Sequence, residues 1–272
     1  MSLTKINSNI AALRSLNAFT AINKKIESAQ LRLSTGKRIN SAGDDPAGYN
    51  LANSLESRKR GLSVALDNVN NAKNVMTIAE GGYQNIMDIL QTVKEKAAQA
   101  ADGILSATQR TALNDQVTAL LTEIDDIVSE TTFNGSSLID GSFNTQFQTG
   151  EASTDTLSVT LQDADSAALS INSISLASQT SASAALSAVN SAIDTLAQRT
   201  QDVGEYMARL DSKDQTLSVA ITNTESIRST VEDADFAKEQ VDLLRFQIIQ
   251  QTSLSSLTQA NSAPQNVLSL FG

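Results

Sequence analysis

Apolar residues recur at every seventh position through much of the N-terminal half of the chain. From Leu62 onward, a second apolar residue, often alanine, follows three positions behind each of them. The two series supply the a and d positions of six heptads, more than the three or four that indicate a coiled-coil-like seam. A helix from Pro46 to Ala101 would be about 80 Å long at about 1.5 Å per residue, too long for a compact domain. The first series is Leu55, Leu62, Val69, Met76, Tyr83, Leu90 and Ala97.

A second seam with the same spacing lies in the C-terminal half and is interrupted by the polar residue Thr224. Its apolar members are Val189, Leu196, Val203, Leu210, Leu217 and, beyond Thr224, Val231. A shorter helix between the two seams is indicated by Leu113, Val117, Leu120, Ile124 and Ile127. Three amphipathic helices of this kind bury one another's apolar stripes. The pattern therefore predicts a mainly α fold, an elongated bundle of long helices.

The two ends of the chain are also amphipathic, with apolar residues that advance by threes and fours. Residues 1–60 carry ten Lys or Arg against four Asp or Glu, whereas the approach to the C-terminal stripe is acidic. We therefore expect residues 1–45 and 230–272 to pair as a coiled coil, whose C-terminal helix ends near Pro264. The stripe residues expected to pack there are Ile6, Ile10, Leu13, Leu16, Phe19, Ile22, Ile26, Leu33, Val241, Leu244, Ile248, Leu254 and Leu257.

Turn signals separate these ends from the middle of the chain. Gly36 is suited to end the first helix because glycine adopts a positive φ without strain. Asp45 followed by Pro46 is typical of a helix start, with an N-cap carboxylate and then proline at the first helical position. The middle bundle should therefore span residues 46–229.

Residues 131–180 differ from the helical segments around them. The Asn134-Gly135 pair favours a hairpin turn, and Leu157, Val159 and Leu161 alternate with polar residues as in a half-exposed strand. We predict a small β-hairpin and loop region inside the middle bundle.

The amino-acid composition excludes most kinds of catalytic residue. The chain has no histidine and no cysteine, which excludes a general base titrating near neutral pH and a thiolate metal site. The acidic pair Asp44-Asp45 is explained by helix capping, and the pair Asp125-Asp126 would point its carboxylates about 100° apart on a helix. We expect no catalytic residue, no metal and no cofactor.

Apolar runs are too short for a membrane-spanning helix, and the N-terminus lacks the apolar run of a signal peptide. A basic, acid-poor start is compatible with a mitochondrial presequence, a membrane-surface helix or a nucleic-acid arm. The amphipathic stripe favours a fourth interpretation, in which the N-terminal helix packs against another helix. We therefore expect no bound nucleic acid and no membrane insertion.

Motifs near both ends resemble those of bacterial flagellins. The similar segments are Asn7–Ala12, Leu31–Gly48, Thr77–Gly82, Ala97–Ala101, Glu123–Asp125, Phe133–Gly135, Asp233–Ala237, Gln250-Gln251, Gln259–Asn261 and Pro264–Leu270. The resemblance implies a structural subunit that assembles into the extracellular flagellar filament, with paired termini as an inner layer and the middle helices as a second layer. It also implies export by the flagellar type III route, a chaperone on the C-terminal segment, and contact with cap and junction proteins. The large central outer domains of longer flagellins have no counterpart here.

The resemblance also suggests weak detection by the vertebrate innate receptor for flagellin. Strongly sensed flagellins have Arg, Leu and Glu at positions where this sequence has Thr92, Lys96 and Gln116. Loss of a guanidinium, an apolar contact and a carboxylate should weaken an interface that depends on them.

Three alternative functions predict different properties. A hook–filament junction protein shares such ends but should be scarce in sheared surface material. A flagellin with an inserted peptidase domain needs a His-Glu-x-x-His zinc site, which a chain without histidine cannot form. A cytosolic coiled-coil scaffold should be a stable dimer that is not exported.

Overall fold

The computed structural model describes residues 9–268, with side chains described for residues 9–262. Most of the described residues are helical, and the mainly α fold with a small hairpin region is confirmed. The helices are α1 (Ile10–Thr35), α2 (Pro46–Ala100), α3 (Ala107–Glu130), α4 (Gln179–Glu232) and α5 (Phe236–Leu268), and the strands are β1 (Thr132–Phe133), β2 (Ser136–Ser137), β3 (Asn144–Gln148) and β4 (Thr156–Thr160).

The chain divides into two compact units. The first contains residues 1–57 and 223–272, and the second contains residues 58–222. Both boundaries fall inside long helices, α2 and α4. The expected assignment of residues 1–45 with 230–272 and of residues 46–229 to separate layers stays a prediction.

The core of the second unit is one apolar cluster contributed by α2, α3, α4 and the hairpin region. The heptad series of α2 is buried from Leu62 to Ala97, and that of α4 is buried from Val189 to Leu217. Alanines between them, such as Ala72 and Ala79, have no exposed surface. Small side chains at these positions let neighbouring segments approach closely, so packing rather than bulky rings fills this core.

The connector after α2 is organised by one arginine. The guanidinium of Arg110 donates to the backbone carbonyls of Ala100, Asp102 and Leu105. Carbonyls at a helix C-terminus lack intrahelical partners, and a cation that donates to several of them satisfies them directly. Arg110 therefore joins the end of α2 to the start of α3.

Two antiparallel hairpins follow α3. Asn134 and Gly135 both have positive φ, 51° and 81°, as expected for the turn between β1 and β2. In the second hairpin, Leu157, Val159 and Leu161 are buried, in line with the alternation of the sequence.

The segment after the second hairpin is held on α3 by polar side chains. The Asp125 carboxylate accepts from the backbone N–H of Ser166 at 2.8 Å and from its hydroxyl at 3.0 Å. The Asn114 amide oxygen accepts from the Leu176 N–H at 2.8 Å. A long irregular segment thus gains fixed backbone partners, which a buried backbone requires.

The predicted end of the C-terminal helix is wrong, because α5 continues past Pro264 to Leu268. Proline lacks the N–H that would donate to the carbonyl four residues earlier, here that of Ala260. That carbonyl accepts a hydrogen bond from the Asn9 side chain at 2.7 Å. Because another donor replaces the missing one, proline at this position does not end the helix.

Tyr83 gives the second unit a testable dependence on alkaline pH. Its hydroxyl donates to the Gln162 carbonyl at 2.6 Å, and burial raises the pKa of Tyr83 to about 12 from 10.0. The folded state holds this proton more tightly, so its stabilising effect is complete below pH 10 and is lost as pH rises towards 12.

We expect the free energy of unfolding to fall more between pH 8 and pH 11 in the wild type than in Tyr83→Phe. Denaturant titrations followed by circular dichroism at both pH values measure this difference. Tyr206→Phe is the matched control. An equal fall in the wild type and in Tyr83→Phe would contradict the assignment.

Candidate functional site: the paired terminal helices

α1 and α5 lie side by side in the first unit and run in opposite directions. Three polar bridges establish this arrangement, because residues early in α1 contact residues late in α5. The bridges are Asn9 Nδ2 to the Ala260 carbonyl at 2.7 Å, Gln250 Nε2 to Asn23 Oδ1 at 2.7 Å, and Arg32 Nη1 to Glu239 Oε1 at 3.2 Å. The bridges are spread along the pair and therefore fix its register.

Asn9 has two roles at the start of α1. Its side-chain oxygen accepts from the Ala12 N–H at 3.0 Å, which caps the helix. Its amide nitrogen donates to the Ala260 carbonyl, whose ordinary donor is removed by Pro264. One side chain thus caps one helix and completes the hydrogen bonding of the other.

The seam between the two helices is narrow and partly polar. Among the described terminal residues, Ile26, Ala29 and Glu239 are the buried members of α1 and α5. The positions that advance along the seam by threes and fours are Ala12, Ser15, Phe19, Ile22, Ile26, Ala29 and Leu33 on α1, and Glu239, Leu243, Phe246, Gln250, Ser253, Leu257 and Ala260 on α5. Small and polar residues at seam positions bury little apolar area, so this pair is held more weakly than the second unit.

The structure divides the predicted stripe residues between two environments. Phe19, Ile22, Ile26, Leu33 and Leu257 are buried or half-buried at the seam. The exposed residues are Ile10 at 58%, Leu13 at 58%, Leu16 at 46%, Val241 at 64%, Leu244 at 57%, Ile248 at 66% and Leu254 at 49%. Ile6 lies outside the described residues. Within one chain, the terminal helices therefore leave most of their large aliphatic side chains in solvent.

Sequence reasoning missed the residues with which α5 contacts α1. Apolar residues occur as adjacent pairs, Leu243-Leu244 and Ile248-Ile249, and neighbours on a helix point about 100° apart. The half-buried members are Leu243 and Ile249, and the exposed ones are Leu244 and Ile248. The adjacent pairs were the available signal, since they indicate two apolar faces on one helix.

The connectors at the base of the pair are joined through their backbones. The Arg38 N–H donates to the Glu232 carbonyl at 2.6 Å, and the Ala234 N–H donates to the Gly36 carbonyl at 2.9 Å. Gly36 has φ 71° and caps α1 in the left-handed conformation. The chain thus leaves α1 beside the point where it enters α5.

Charged side chains reinforce this junction. The Arg228 guanidinium contacts Glu225, Glu232 and Glu56, and Lys37 pairs with Glu232. Hydrogen bonds that the guanidinium donates to its carboxylate neighbours, above all Glu225, raise the pKa of Arg228. Several carboxylates around one guanidinium form a network, which is worth more than an isolated surface pair.

The acidic pair Asp44-Asp45 organises the connector between α1 and α2. Asp44 accepts from the backbone N–H groups of Ser41 and Asn40, and these bonds lower the pKa of the Asp44 carboxyl. Asp45 accepts from the Gly48 N–H at 3.0 Å, and α2 begins at Pro46. Asp44 therefore fixes the turn before α2, and Asp45 caps the start of the helix.

The remaining predicted residues lie on α2, α3 and α4. Both heptad series are buried except for Leu55 and Val231, which are half-buried. Thr92 and Lys96 are half-buried and Gln116 is exposed. The Thr92 hydroxyl donates to the Asp88 carbonyl of its own helix at 3.1 Å.

No grouping of three or more acidic side chains suited to a metal ion occurs within the part of the chain that the structure describes. Across residues 9–268, none of the helices combines the length and the apolar character needed to cross a membrane. The distinctive surface of the terminal pair is its exposed aliphatic side chains.

Comparison with known proteins identifies relatives along nearly the whole chain. Residues 6–144 match the family described as the bacterial flagellin N-terminal helical region, and residues 186–271 match the bacterial flagellin C-terminal helical region. Flagellin FlaB2 of Treponema pallidum is 31% identical over 98% of this chain and 99% of its own length. The flagellin of Bacillus subtilis is 32% identical over 98% of this chain and 99% of its own length.

Solved structures give the same fold. The crystal structure of Bacillus cereus flagellin superposes with a TM-score of 0.51 at 25% identity, over 56% of this chain and 88% of that one. A putative flagellar hook-associated protein from Vibrio parahaemolyticus has a TM-score of 0.59 at 14% identity, over 70% of this chain and all 100% of that one. At that identity, the second likeness concerns the fold alone.

The double role of Asn9 can be tested with Asn9→Asp. Aspartate keeps the capping oxygen but has no amide N–H for the Ala260 carbonyl, so a carboxylate faces an unsatisfied acceptor. We expect the terminal pair to lose about 1–3 kcal/mol of local stability, measured by hydrogen exchange of the α5 amides from 246 to 262.

The matched control is Asn17→Asp, since Asn17 is exposed on the same helix. Equal protection of α5 in the two variants would contradict the bridge.

Proposed function

Because the chain belongs to the bacterial flagellin family and is a structural subunit of the flagellar filament, we propose that α1 and α5 form the inner layer of that filament. Flagellins are structural proteins, and this chain is not an enzyme. The filament that the family forms is extracellular. The paired termini are the part of the subunit through which neighbouring copies hold one another.

The exposed aliphatic side chains of the terminal pair carry this proposal. Monomeric proteins rarely leave contiguous apolar surface in water, and such surface typically marks an interaction site. Val241, Leu244 and Ile248 are each more than half exposed and stand on one side of α5. Burial against other copies supplies the contact that a single chain lacks.

The second unit has the opposite character, which supports its role as the second layer. Its heptad series are buried within one chain, so it does not need neighbours in order to fold. We propose that residues 46–229 form the second layer of the filament. Tight packing before assembly and weak packing at the termini suit a subunit that completes its folding on addition to the filament.

The weak packing of the terminal pair is also compatible with export of the chain and with its assembly at the filament tip. We infer that the flagellar type III route carries the chain, that a chaperone covers the C-terminal segment beforehand, and that cap and junction proteins meet it at the filament ends. The narrow, partly polar seam of α5 is compatible with release from α1 for chaperone binding. A segment with few buried contacts opens at low cost in free energy.

The junction-protein alternative has no observation in its favour. Its support would be the hook-associated neighbour at 14% identity, a likeness of fold. Filament proteins align over 98% of this chain, which favours the filament subunit.

Exposed valines on the two units allow a matched test of assembly. We expect Val241→Ser to raise the critical concentration for polymerisation about tenfold, since lost apolar burial of about 1.4 kcal/mol corresponds to that factor. Val219→Ser is the control, because Val219 on α4 is 59% exposed against 64% for Val241.

Sedimentation of seeded filaments over a range of subunit concentrations measures this value. A Val241→Ser variant that polymerises like Val219→Ser would refute a role for this face of α5.

We also infer weak recognition by the innate flagellin receptor, from Thr92, Lys96 and Gln116. Restoring the residues of sensed flagellins in the triple variant Thr92→Arg, Lys96→Leu, Gln116→Glu should increase the response of a cell reporter at least about tenfold, as expected when interface anchors are regained. The unmodified chain is the low reference in this assay, and a strongly sensed flagellin is the high reference. A wild-type response as potent as that of the sensed flagellin would overturn the inference.

A further inference from the structure

The turn between β1 and β2 presents an Asn-Gly pair at the surface, and the sequence contains no other pair of this kind. Asn134 and Gly135 are both exposed, and their φ angles of 51° and 81° are positive. A Cβ atom added to Gly135 would meet no atom of the described residues within 4 Å. The backbone nitrogen that follows the Asn134 side chain is therefore free of steric cover.

An asparagine that precedes a glycine reacts with its own backbone. The Gly135 nitrogen loses its proton to base and attacks Asn134 Cγ, so that an N–Cγ bond forms. The bond from Cγ to the side-chain nitrogen breaks, and that nitrogen leaves as ammonia with a proton taken from water. Water then opens the cyclic succinimide at Cγ to give aspartate, or at the main-chain carbonyl to give isoaspartate.

We propose that Asn134 is a site of spontaneous deamidation, which water and the chain's own backbone carry out without an enzyme. Glycine favours the reaction because it places no side chain beside the attacking nitrogen. The reacting groups all lie in one chain, so the modification goes beyond the proposed filament function and does not depend on it.

The backbone around other exposed asparagines opposes the same reaction. Asn53 and Asn190 are followed by serine and lie inside α2 and α4, where the next N–H donates to a carbonyl four residues earlier. Asn172 lies in the irregular segment before α4 and is also followed by serine. Among these exposed sites, Asn134 is the one that combines a non-helical backbone with a following glycine.

The hairpin is short enough for the ring to close. Ring closure requires the backbone between Asn134 and Gly135 to rotate out of the turn. β1 and β2 contribute two residues each, and a two-stranded hairpin has little stability of its own. At its base, the Leu138 N–H donates to the Thr131 carbonyl at 3.0 Å, and Leu138 is buried. The tip can therefore open while the segment below it stays in place.

The two products have different effects on the hairpin. Aspartate keeps the length of the main chain and tolerates a positive φ, so the turn persists with an added negative charge. Isoaspartate inserts a methylene group into the main chain, which is incompatible with the two-residue turn. The pairing of Thr132 with Ser137 and of Phe133 with Ser136 should then be lost.

Peptide mapping by mass spectrometry tests this assignment. The full-length folded chain is incubated in mildly alkaline buffer, and deamidation at each asparagine is followed over time. A sample digested without incubation corrects for reaction during digestion. We expect Asn134 to react first and to yield both aspartate and isoaspartate. Its rate should exceed that of Asn172 at least about tenfold, which corresponds to about 1.4 kcal/mol in activation free energy.

Two variants connect the modification with the charge of the folded protein. Ion-exchange chromatography of the aged wild type should show a growing acidic species. We expect this growth to be lost in Asn134→Asp, which carries the extra charge from the start. Asn172→Asp is the matched control, and it should age like the wild type.

An Asn134 that stays intact in the folded chain while it converts in denaturant would overturn the proposal, because the folded turn would then prevent ring closure. Equal rates at Asn134 and Asn172 would overturn it as well, and aspartate without isoaspartate would contradict the cyclic route. These readouts use unpolymerised protein, so a failure of filament assembly would count against the proposed function and leave them unchanged.

Discussion

The terminal helices carry more apolar surface than two helices can bury against each other. A helix packs one stripe onto its neighbour, while α5 has Leu243 and Ile249 on one face and Leu244 and Ile248 on another. Pairing within a chain therefore leaves a second face in water. The hydrophobic effect favours covering that face, and the proposed inner layer would cover it with other copies of the chain. The contrast between the well-buried second unit and the exposed terminal pair follows from this constraint.

The two units use different means to fix their structures. In the second unit, close-packed alanines and branched side chains supply stability. In the terminal pair, Asn23, Gln250 and the Arg32–Glu239 ion pair occupy or flank the seam. Polar groups at such positions contribute less to stability than apolar ones, but they specify register and partner. A helix pair of low stability with a fixed register can separate easily, and its polar bridges restore the same register when it forms again.

The sequence predicted the buried face of a helix where a single apolar residue occupied each repeat position. In α2 and α4, a heptad spacing carried by single residues identified the buried face. In α5, adjacent apolar pairs left the face undetermined, and the selection depends on α1. The roles of Arg110 and Asn9 were not predictable either, because each donates to carbonyls of another segment, and the need for those donors arises only in the folded chain. The continuation of α5 past Pro264 was not predictable for the same reason, because it depends on the hydrogen bond that Asn9 donates.

The second hairpin has a consequence for how such filaments diversify. Its tip, residues 151–155, is exposed, and its strands are antiparallel neighbours, so a sequence inserted there would leave and re-enter at nearly the same place. Exposed loop tips with adjacent ends are where foreign segments are best tolerated. Glu151 at the start of the tip pairs with Arg58 of α2 at 3.0 Å, so an insertion placed after Glu151 would leave this contact with the helix in place. The subunit thus offers a grafting point that a polymer would repeat along its length, for evolution or for the display of peptides.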